Sequence, residues 1–118
     1  MKIEFRKIVA SPKQFTLDLS DKNYNVKVVG SFYKLANGLV KIDSIISGNI
    51  NLICDLSGEE FTKNLNENVV LFAKDGIFEN QINDENFDVI EFFDGYMDLS
   101  FIFKSELESI NLEYHTKE

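Results

Sequence analysis

The stretch that decides the fold is Tyr24–Cys54, with the sequence YNVKVVGSFYKLANGLVKIDSIISGNINLIC. In its first part, valine and aromatic residues alternate with polar ones, which places Val26 and Val28 on one side of a strand and Lys27 on the other. Asn37-Gly38 is a strong turn signal because both residue types tolerate positive φ angles. The stretch therefore predicts two strands joined by a tight turn.

The second of these strands begins with the run Leu39–Ile46. Ser47-Gly48 interrupts the pattern, but alternation continues beyond it, so we expect a bend or bulge inside one strand rather than a turn. Ile50, Leu52 and Cys54 hold the apolar positions of this continuation. The pattern places Cys54 on the apolar face of the strand.

Shorter strands are expected on both sides of this stretch. Alternation of apolar and polar residues predicts strands over Met1–Phe5 and Phe15–Leu19, separated by a turn at Ser11-Pro12. Phe61–Lys74 and Phe87–Phe93 predict two more strands on the C-terminal side. The connecting segments, which are rich in polar residues and glycine, are Asp55–Gly58, Asp75-Gly76 and the acidic loop Asn80–Asn86.

The last element is a helix. Asp98 is a good N-cap, and Met97 and Ile102 hold the positions of a hydrophobic staple around it. The helix is expected to end near Leu112. These elements predict an α+β fold, in which the helix packs on a mainly antiparallel sheet. The sheet is either open or curled toward a barrel. The apolar stripe that predicts this packing consists of Leu99, Ile102, Phe103, Leu107 and Ile110.

The 118 residues fit a single domain, residues 1–118, and 44% of them are hydrophobic. A chain of this length can build a core without metals or disulfides, and the single cysteine leaves no internal disulfide. Eleven Phe against four Tyr and no Trp indicate a core filled with Phe. No apolar segment resembles a secretion signal or a membrane span, so we expect a cytoplasmic protein.

The net charge of −8 is unevenly distributed. Residues 1–59 carry eight Lys or Arg and six Asp or Glu, whereas residues 60–118 carry four and fourteen. The C-terminal half would repel nucleic acid, so any contact with RNA is expected through the N-terminal half. Ordinary solvated surface charge is the alternative for its basic residues. The candidate RNA-facing residues are Lys2, Arg6, Lys7 and Lys27, together with Lys13, Lys34 and Lys41 of the same half.

Residues for catalysis or metal binding are few. The only histidine, His115, lies near the C-terminus, and Cys54 sits on an apolar face without a basic neighbour to activate it, so a structural cysteine is expected. One Cys and one His do not make a zinc site. We expect no catalytic residue, no metal and no cofactor. A solvated rim, without the spacing of a calcium loop, is expected from Asp84, Glu85, Asp88, Glu91, Asp94 and Asp98.

The segment Glu91–Met97, EFFDGYM, places three aromatic residues beside a turn. Alternation cannot bury both Phe92 and Phe93 on one face of a sheet, so one of them is expected to face solvent. An exposed aromatic among carboxylates would suit a partner that carries basic residues, and core packing is the alternative. The candidate partner-binding residues are Glu91, Phe92, Phe93, Asp94 and Tyr96.

Several short motifs occur in an order that resembles the DUF177/YceD family over most of the chain. They are Lys2–Ile8, Val28–Gly30, Ile46–Asp55, Phe93–Leu99 and Ser105–Leu107. In that family a strand leads into C-x-R-C, an acidic stretch follows, and I-D-L opens a helix with a Glu-Leu or Glu-Ile pair. The positions that carry the resemblance here are Cys54, Asp98, Leu99 and Glu106.

Membership would imply a bacterial, non-catalytic role in ribosome biogenesis, in which the protein supports accumulation of the large-subunit (23S) rRNA. The expected partner is a basic ribosomal protein or a large-subunit precursor, with rRNA contact open and no membrane. Leu56 and Ser57 replace the arginine and the second cysteine of C-x-R-C, so no metal or redox role carries over. The alternative function is a small-ligand-binding β-domain with a Phe-rich pocket.

Overall fold

The computed structural model describes residues 1–76 and 89–112, with side chains described as far as Ile110. These residues form an α+β fold, as predicted. Along the described chain the elements are β1 (Lys2–Glu4), a 3-10 turn (Phe5–Lys7), β2 (Lys13–Asp21), β3 (Tyr24–Lys34), β4 (Val40–Ile53), β5 (Glu60–Asp75), β6 (Val89–Phe92), β7 (Tyr96–Asp98) and α1 (Leu99–Leu112).

Five of the strands form one sheet in the order β2-β3-β4-β5-β6. Its pairs are antiparallel except β5 with β6, which run parallel. The outermost strands β2 and β6 do not pair with each other in the described residues, so the sheet is open and the expected curl toward a barrel does not lead to closure. β1 and β7 form a separate antiparallel pair.

The turn between β3 and β4 confirms the Asn37-Gly38 prediction. Gly38 has a φ of 87°, and its N–H donates to the Leu35 carbonyl oxygen at 3.0 Å. The Asn37 side chain accepts a hydrogen bond from the Leu39 N–H at 3.1 Å. Because the turn is tight, β3 and β4 stay in register from Lys34 opposite Val40 to Tyr24 opposite Ile50.

β4 continues through Ser47-Gly48 without a turn, as predicted, but the expected bulge is wrong, because the register does not change there. Gly48 lies opposite Val26 on one side and Leu65 on the other. Glycine is needed at this position for a different reason. Its φ is 136°, and a Cβ at this position would collide with the backbone carbonyl oxygen of Asn25. Close approach of β3 to β4 therefore excludes a side chain here.

The core lies between the five-stranded sheet and α1. Val26, Val28 and Ile46 are at most 2% exposed on the inner face of the sheet. Asp98 accepts a hydrogen bond from the Phe101 N–H at 3.2 Å, which confirms the predicted N-cap. The buried part of the predicted helical stripe consists of Leu99, Ile102, Phe103 and Leu107, with Ile110 partly buried.

Some of the remaining predictions are confirmed and others are not. β1 is shorter than expected, because the chain turns into the 3-10 turn at Phe5. Cys54 is buried, as predicted from its alternation with polar residues. β6 was expected as a strand, but its parallel pairing with β5 was not. The predicted loop Asn80–Asn86 lies outside the described residues.

Candidate functional site

The N-terminal strand is attached to the segment that leads into α1. In the β1–β7 pair, Ile3 lies opposite Met97, which is fully buried. The Phe5 N–H donates to the Gly95 carbonyl oxygen, and the Leu99 N–H donates to the Met1 carbonyl oxygen, both at 3.0 Å. These contacts bring the first residues of the chain beside the aromatic segment near its end.

Phe92, Phe93, Tyr96 and Phe101 gather at this junction, and we call them the aromatic corner. The Phe92 ring centroid lies 6.3 Å from that of Phe101 in an edge-on contact, and 5.9 Å from that of the buried Phe5. Phe93 is 74% exposed and Phe101 is 56% exposed. The structure thus resolves the Phe92/Phe93 alternative, with Phe92 half-buried and Phe93 facing solvent.

Hydrogen bonds hold the turn that carries the corner. The Asp94 side chain accepts a hydrogen bond from the Tyr96 N–H at 3.1 Å, and Gly95 between them has a φ of 81°. The Tyr96 hydroxyl donates to Glu4 at 3.2 Å, which joins β7 to β1. Tyr96 is therefore fixed at both its backbone and its phenol.

Glu4 is the centre of the charged contacts at the corner. Its carboxylate accepts a hydrogen bond from Arg6 Nε at 3.0 Å and lies 3.5 Å from Lys7 Nζ. The hydrogen bond from Arg6 is the main cause that holds the pKa of Glu4 below its ordinary value. The Arg6 and Lys7 side chains are largely exposed, so these ion pairs are weak and their partners exchangeable.

A small hollow of about 230 Å³ opens beside the corner. It brings together three carboxylates, one guanidinium and the Tyr96 phenol. Oxygen acceptors next to an aromatic ring favour a cationic side chain over an anionic one. The residues that line the hollow are Glu4, Arg6, Asp75, Asp94, Gly95 and Tyr96.

The candidate RNA-facing residues are not gathered on one surface. Lys2 lies opposite Asp98 in the β1–β7 pair. Arg6 and Lys7 pair with Glu4, as described above. Lys27 lies in the five-stranded sheet, opposite Asp18 of β2. The first three basic residues therefore stand among carboxylates at the corner, and Lys27 belongs to a different sheet.

The positions that carry the family resemblance are buried or half-buried, and one of them caps the helix. Cys54 is buried at the end of β4, and its N–H donates to the Glu59 carbonyl oxygen at 2.8 Å. Asp98 caps α1, Leu99 is fully buried, and Glu106 is half-buried on the helix. No three His, Cys, Asp or Glu side chains converge as metal ligands within the described residues. His115 lies outside them.

Three of the described phenylalanines pack against one another in the core. The Phe15 ring centroid lies 6.0 Å from those of Phe32 and Phe103. Two hollows larger than the one at the corner have no phenylalanine in their walls. One, of about 280 Å³, lies between the β2–β3 turn and α1, and Tyr24 and Lys104 are among the residues that line it. The other, of about 570 Å³, lies on the sheet face away from α1.

Sequence analysis missed Phe101 as part of the corner. The signal was available, because Phe101 falls outside the helical stripe of apolar residues that includes Ile102 and Phe103. An aromatic side chain on the polar side of an amphipathic helix is a candidate contact residue. The helix start and its cap together place Phe101 next to Phe92.

Comparisons with known protein families, with curated proteins and with solved structures find no match to this chain. In the part of the chain that the structure describes, no helix has the length and apolar character to cross a membrane. The protein is thus defined by its α+β fold and by the aromatic corner among charged side chains.

Proposed function

We propose that the protein is a non-catalytic cytoplasmic factor in ribosome biogenesis, which supports accumulation of the large-subunit (23S) rRNA. It acts by docking a basic ribosomal protein or assembly factor at the aromatic corner. The ribosomal context comes from the motifs that resemble the DUF177/YceD family. The docking surface comes from the exposed aromatic residues and the carboxylates beside them.

The observation that carries the docking proposal is the exposure of Phe93. At 74% exposure this side chain contributes little to the core, whereas burial against a partner would gain roughly 1.5–3 kcal/mol. Phe101 and Tyr96 are also exposed, at 56% and 39%, and Phe101 contacts Phe92, the neighbour of Phe93 in the chain. Exposed aromatic residues on a hydrogen-bonded turn are typical anchors of protein interfaces.

The charges beside the corner favour a basic partner. Glu91, Asp94 and Asp98 belong to or adjoin the corner in sequence, and Asp75 and Glu4 share the hollow next to it. A basic protein segment would be attracted by these carboxylates and could displace Arg6 from Glu4. Bare RNA would be repelled by them, so direct rRNA contact is a secondary role for Lys2, Arg6 and Lys7.

The test is affinity purification of the tagged protein from a bacterial lysate at low and high salt, with sedimentation of ribosomal particles alongside. We expect a basic ribosomal protein or large-subunit precursors to be captured at low salt and lost at high salt. Capture should fail with Phe93→Ala and persist with Leu56→Ala, since Leu56 is 76% exposed in a turn outside the corner.

Three results would each contradict a part of this proposal. Migration of the protein without any ribosomal component at low salt would remove the ribosomal role. Capture that is equally strong for wild type and Phe93→Ala would remove the aromatic corner as the docking surface, even if the ribosomal role remained. Tight binding to protein-free rRNA would replace the basic protein partner by RNA.

A further inference from the structure

A second surface lies on the face of the five-stranded sheet away from α1. Adjacent strands pair there in four consecutive rows, whose side chains alternate with the buried ones. We call these rows the outer face. They are Asp18–Lys27–Ser47–Asn66, Thr16–Val29–Ile45–Asn68, Gln14–Ser31–Asp43–Val70 and Tyr33–Lys41–Phe72.

The centre of the outer face is aliphatic. Val29 lies directly opposite Ile45, and Val70 of the next strand lies on the diagonal to Ile45. These side chains are 47%, 48% and 52% exposed, respectively. Together they line the hollow of about 570 Å³. In a sheet that packs a helix on its other face, such a cluster leaves apolar surface in water.

The charges of the outer face cancel one another. Asp18 lies opposite Lys27, and Lys41 Nζ lies 4.0 Å from an Asp43 carboxylate oxygen. The other residues of the four rows are uncharged, so the outer face is neutral on a chain of net charge −8. It therefore differs from the aromatic corner, where carboxylates outnumber basic groups.

We propose that the outer face is the contact surface of a homodimer. Two copies of a chain with net charge −8 repel each other, and the neutral face is where they can approach at the lowest electrostatic cost. In a two-fold symmetric contact the same patch serves both partners, so it must complement itself. A patch with equal numbers of Asp and Lys around an aliphatic centre meets that requirement.

The size and shape of the outer face agree with such a contact. Four strands at about 4.8 Å spacing and about seven residues along each strand give roughly 19 Å by 23 Å, or about 440 Å² per copy. Two such faces bury about 900 Å² in total, which is below the roughly 1,200–2,000 Å² of stable interfaces and is typical of a weak, concentration-dependent dimer. A twisted sheet is saddle-shaped, so two copies that pack with their strands nearly aligned bring the convex diagonal of one onto the concave diagonal of the other.

The experiment is sedimentation-velocity ultracentrifugation of the full chain over a wide concentration series. We expect a monomer–dimer equilibrium for the wild type. For Ile45→Lys the dissociation constant of the dimer should be at least tenfold higher, because two lysines would then meet at the two-fold axis. The matched control is Ile53→Lys in the same strand. Ile53 is 60% exposed but does not line the hollow, so its dimerisation should match the wild type.

A wild type that stays monomeric at every concentration would overturn the proposal. So would a dimer that Ile45→Lys and Val70→Lys leave unchanged, because the contact would then lie elsewhere. Circular dichroism establishes that the variants are folded. If Ile45→Lys does not fold, Val29→Thr, which removes apolar surface with little change in shape, is expected to weaken the dimer.

Salt separates the dimer from the docking function proposed above. Screening reduces the repulsion between two acidic copies, so dimerisation should strengthen or stay constant as salt rises. Binding of a basic partner at the aromatic corner should weaken under the same conditions. Dimer formation that weakens steeply with salt would contradict the neutral outer face. Phe93→Ala should leave the dimer unchanged, so either proposal can fail without the other.

Discussion

The two sides of α1 carry aromatic residues in opposite environments. Phe103 is fully buried against the sheet, whereas Phe101, two residues earlier, is 56% exposed at the aromatic corner. Phe103 belongs to a packed core in which its ring contacts Phe15, and Phe101 contacts the ring of Phe92 at the surface. The difference separates residues that hold the fold from residues that are available to a partner.

The sharpest test of this difference is the pair Phe103→Ala and Phe101→Ala. Removal of the buried ring should lower the free energy of unfolding by about 3–5 kcal/mol, because it leaves a cavity in the core. Removal of the exposed Phe101 ring should lower the free energy of unfolding by at most about 1 kcal/mol. Urea denaturation of both variants measures these values. Similar losses would show that the aromatic corner is part of the core.

A second test concerns the inner face of the sheet under α1. Gly48→Ala should lower the free energy of unfolding by about 2–4 kcal/mol, because the new Cβ meets the Asn25 carbonyl and φ is positive. Gly58 also has a positive φ, of 74°, but nothing lies within 4 Å of its would-be Cβ. Gly58→Ala therefore tests the cost of a positive φ without a steric clash. It should lower the free energy of unfolding by about 1 kcal/mol, measured by thermal or urea unfolding.

The third test addresses the corner as a docking surface. Phe93→Ala should weaken binding of the basic partner about tenfold, or about 1.4 kcal/mol. Its free energy of unfolding should stay within about 0.5 kcal/mol of the wild type, because the side chain is 74% exposed. Binding is measured by titration against the partner captured from the lysate. A loss of stability that parallels the loss of binding would make Phe93 a structural residue.

The fourth test lies where the corner and the helix meet. Asp98→Ala should lower the free energy of unfolding by about 1 kcal/mol, since the Phe101 N–H loses its acceptor. Asp98→Asn keeps an acceptor oxygen and should retain most of the stability while removing the charge. If Asp98→Asn destabilises as much as Asp98→Ala, charge at the helix N-terminus matters more than the cap.

The smallest effect is expected from Glu4. Its pKa is lowered in the folded protein by the Arg6 hydrogen bond, so ionised Glu4 favours the folded state at pH values above its ordinary value of 4.5. This contribution is lost as the pH falls through the lowered pKa. The stability difference between wild type and Glu4→Gln should therefore shrink in acid. A difference that is constant with pH would contradict an ionic role for Glu4.

Much of the fold follows from local patterns in the sequence. Alternation in Tyr24–Cys54 and the Asn37-Gly38 turn predicts the central hairpin, and Asp98 predicts the start of the helix. Two features depend on contacts between distant residues and could not be read locally. Gly48 is explained only by the approach of the neighbouring strand, and the parallel place of β6 is set by pairing with β5.

The aromatic corner was predictable in part. Alternation required Phe92 and Phe93 to separate, but only the pairing of β6 decides which of them faces solvent. The division of charge between the two halves of the chain suggested separate surfaces for RNA and protein. In the fold, Lys2 stands opposite Asp98, because β1 pairs with β7. Linear charge counts cannot anticipate a contact between residues almost a hundred positions apart.

The most direct test of the central claim is the binding of purified protein to basic proteins extracted from large ribosomal subunits, compared for wild type, Phe93→Ala and Leu56→Ala at low and high salt. The account predicts that wild type and Leu56→Ala bind at low salt and lose this binding at high salt, and that Phe93→Ala binds only weakly even at low salt. Equal binding by all three proteins would contradict the aromatic corner as the docking surface.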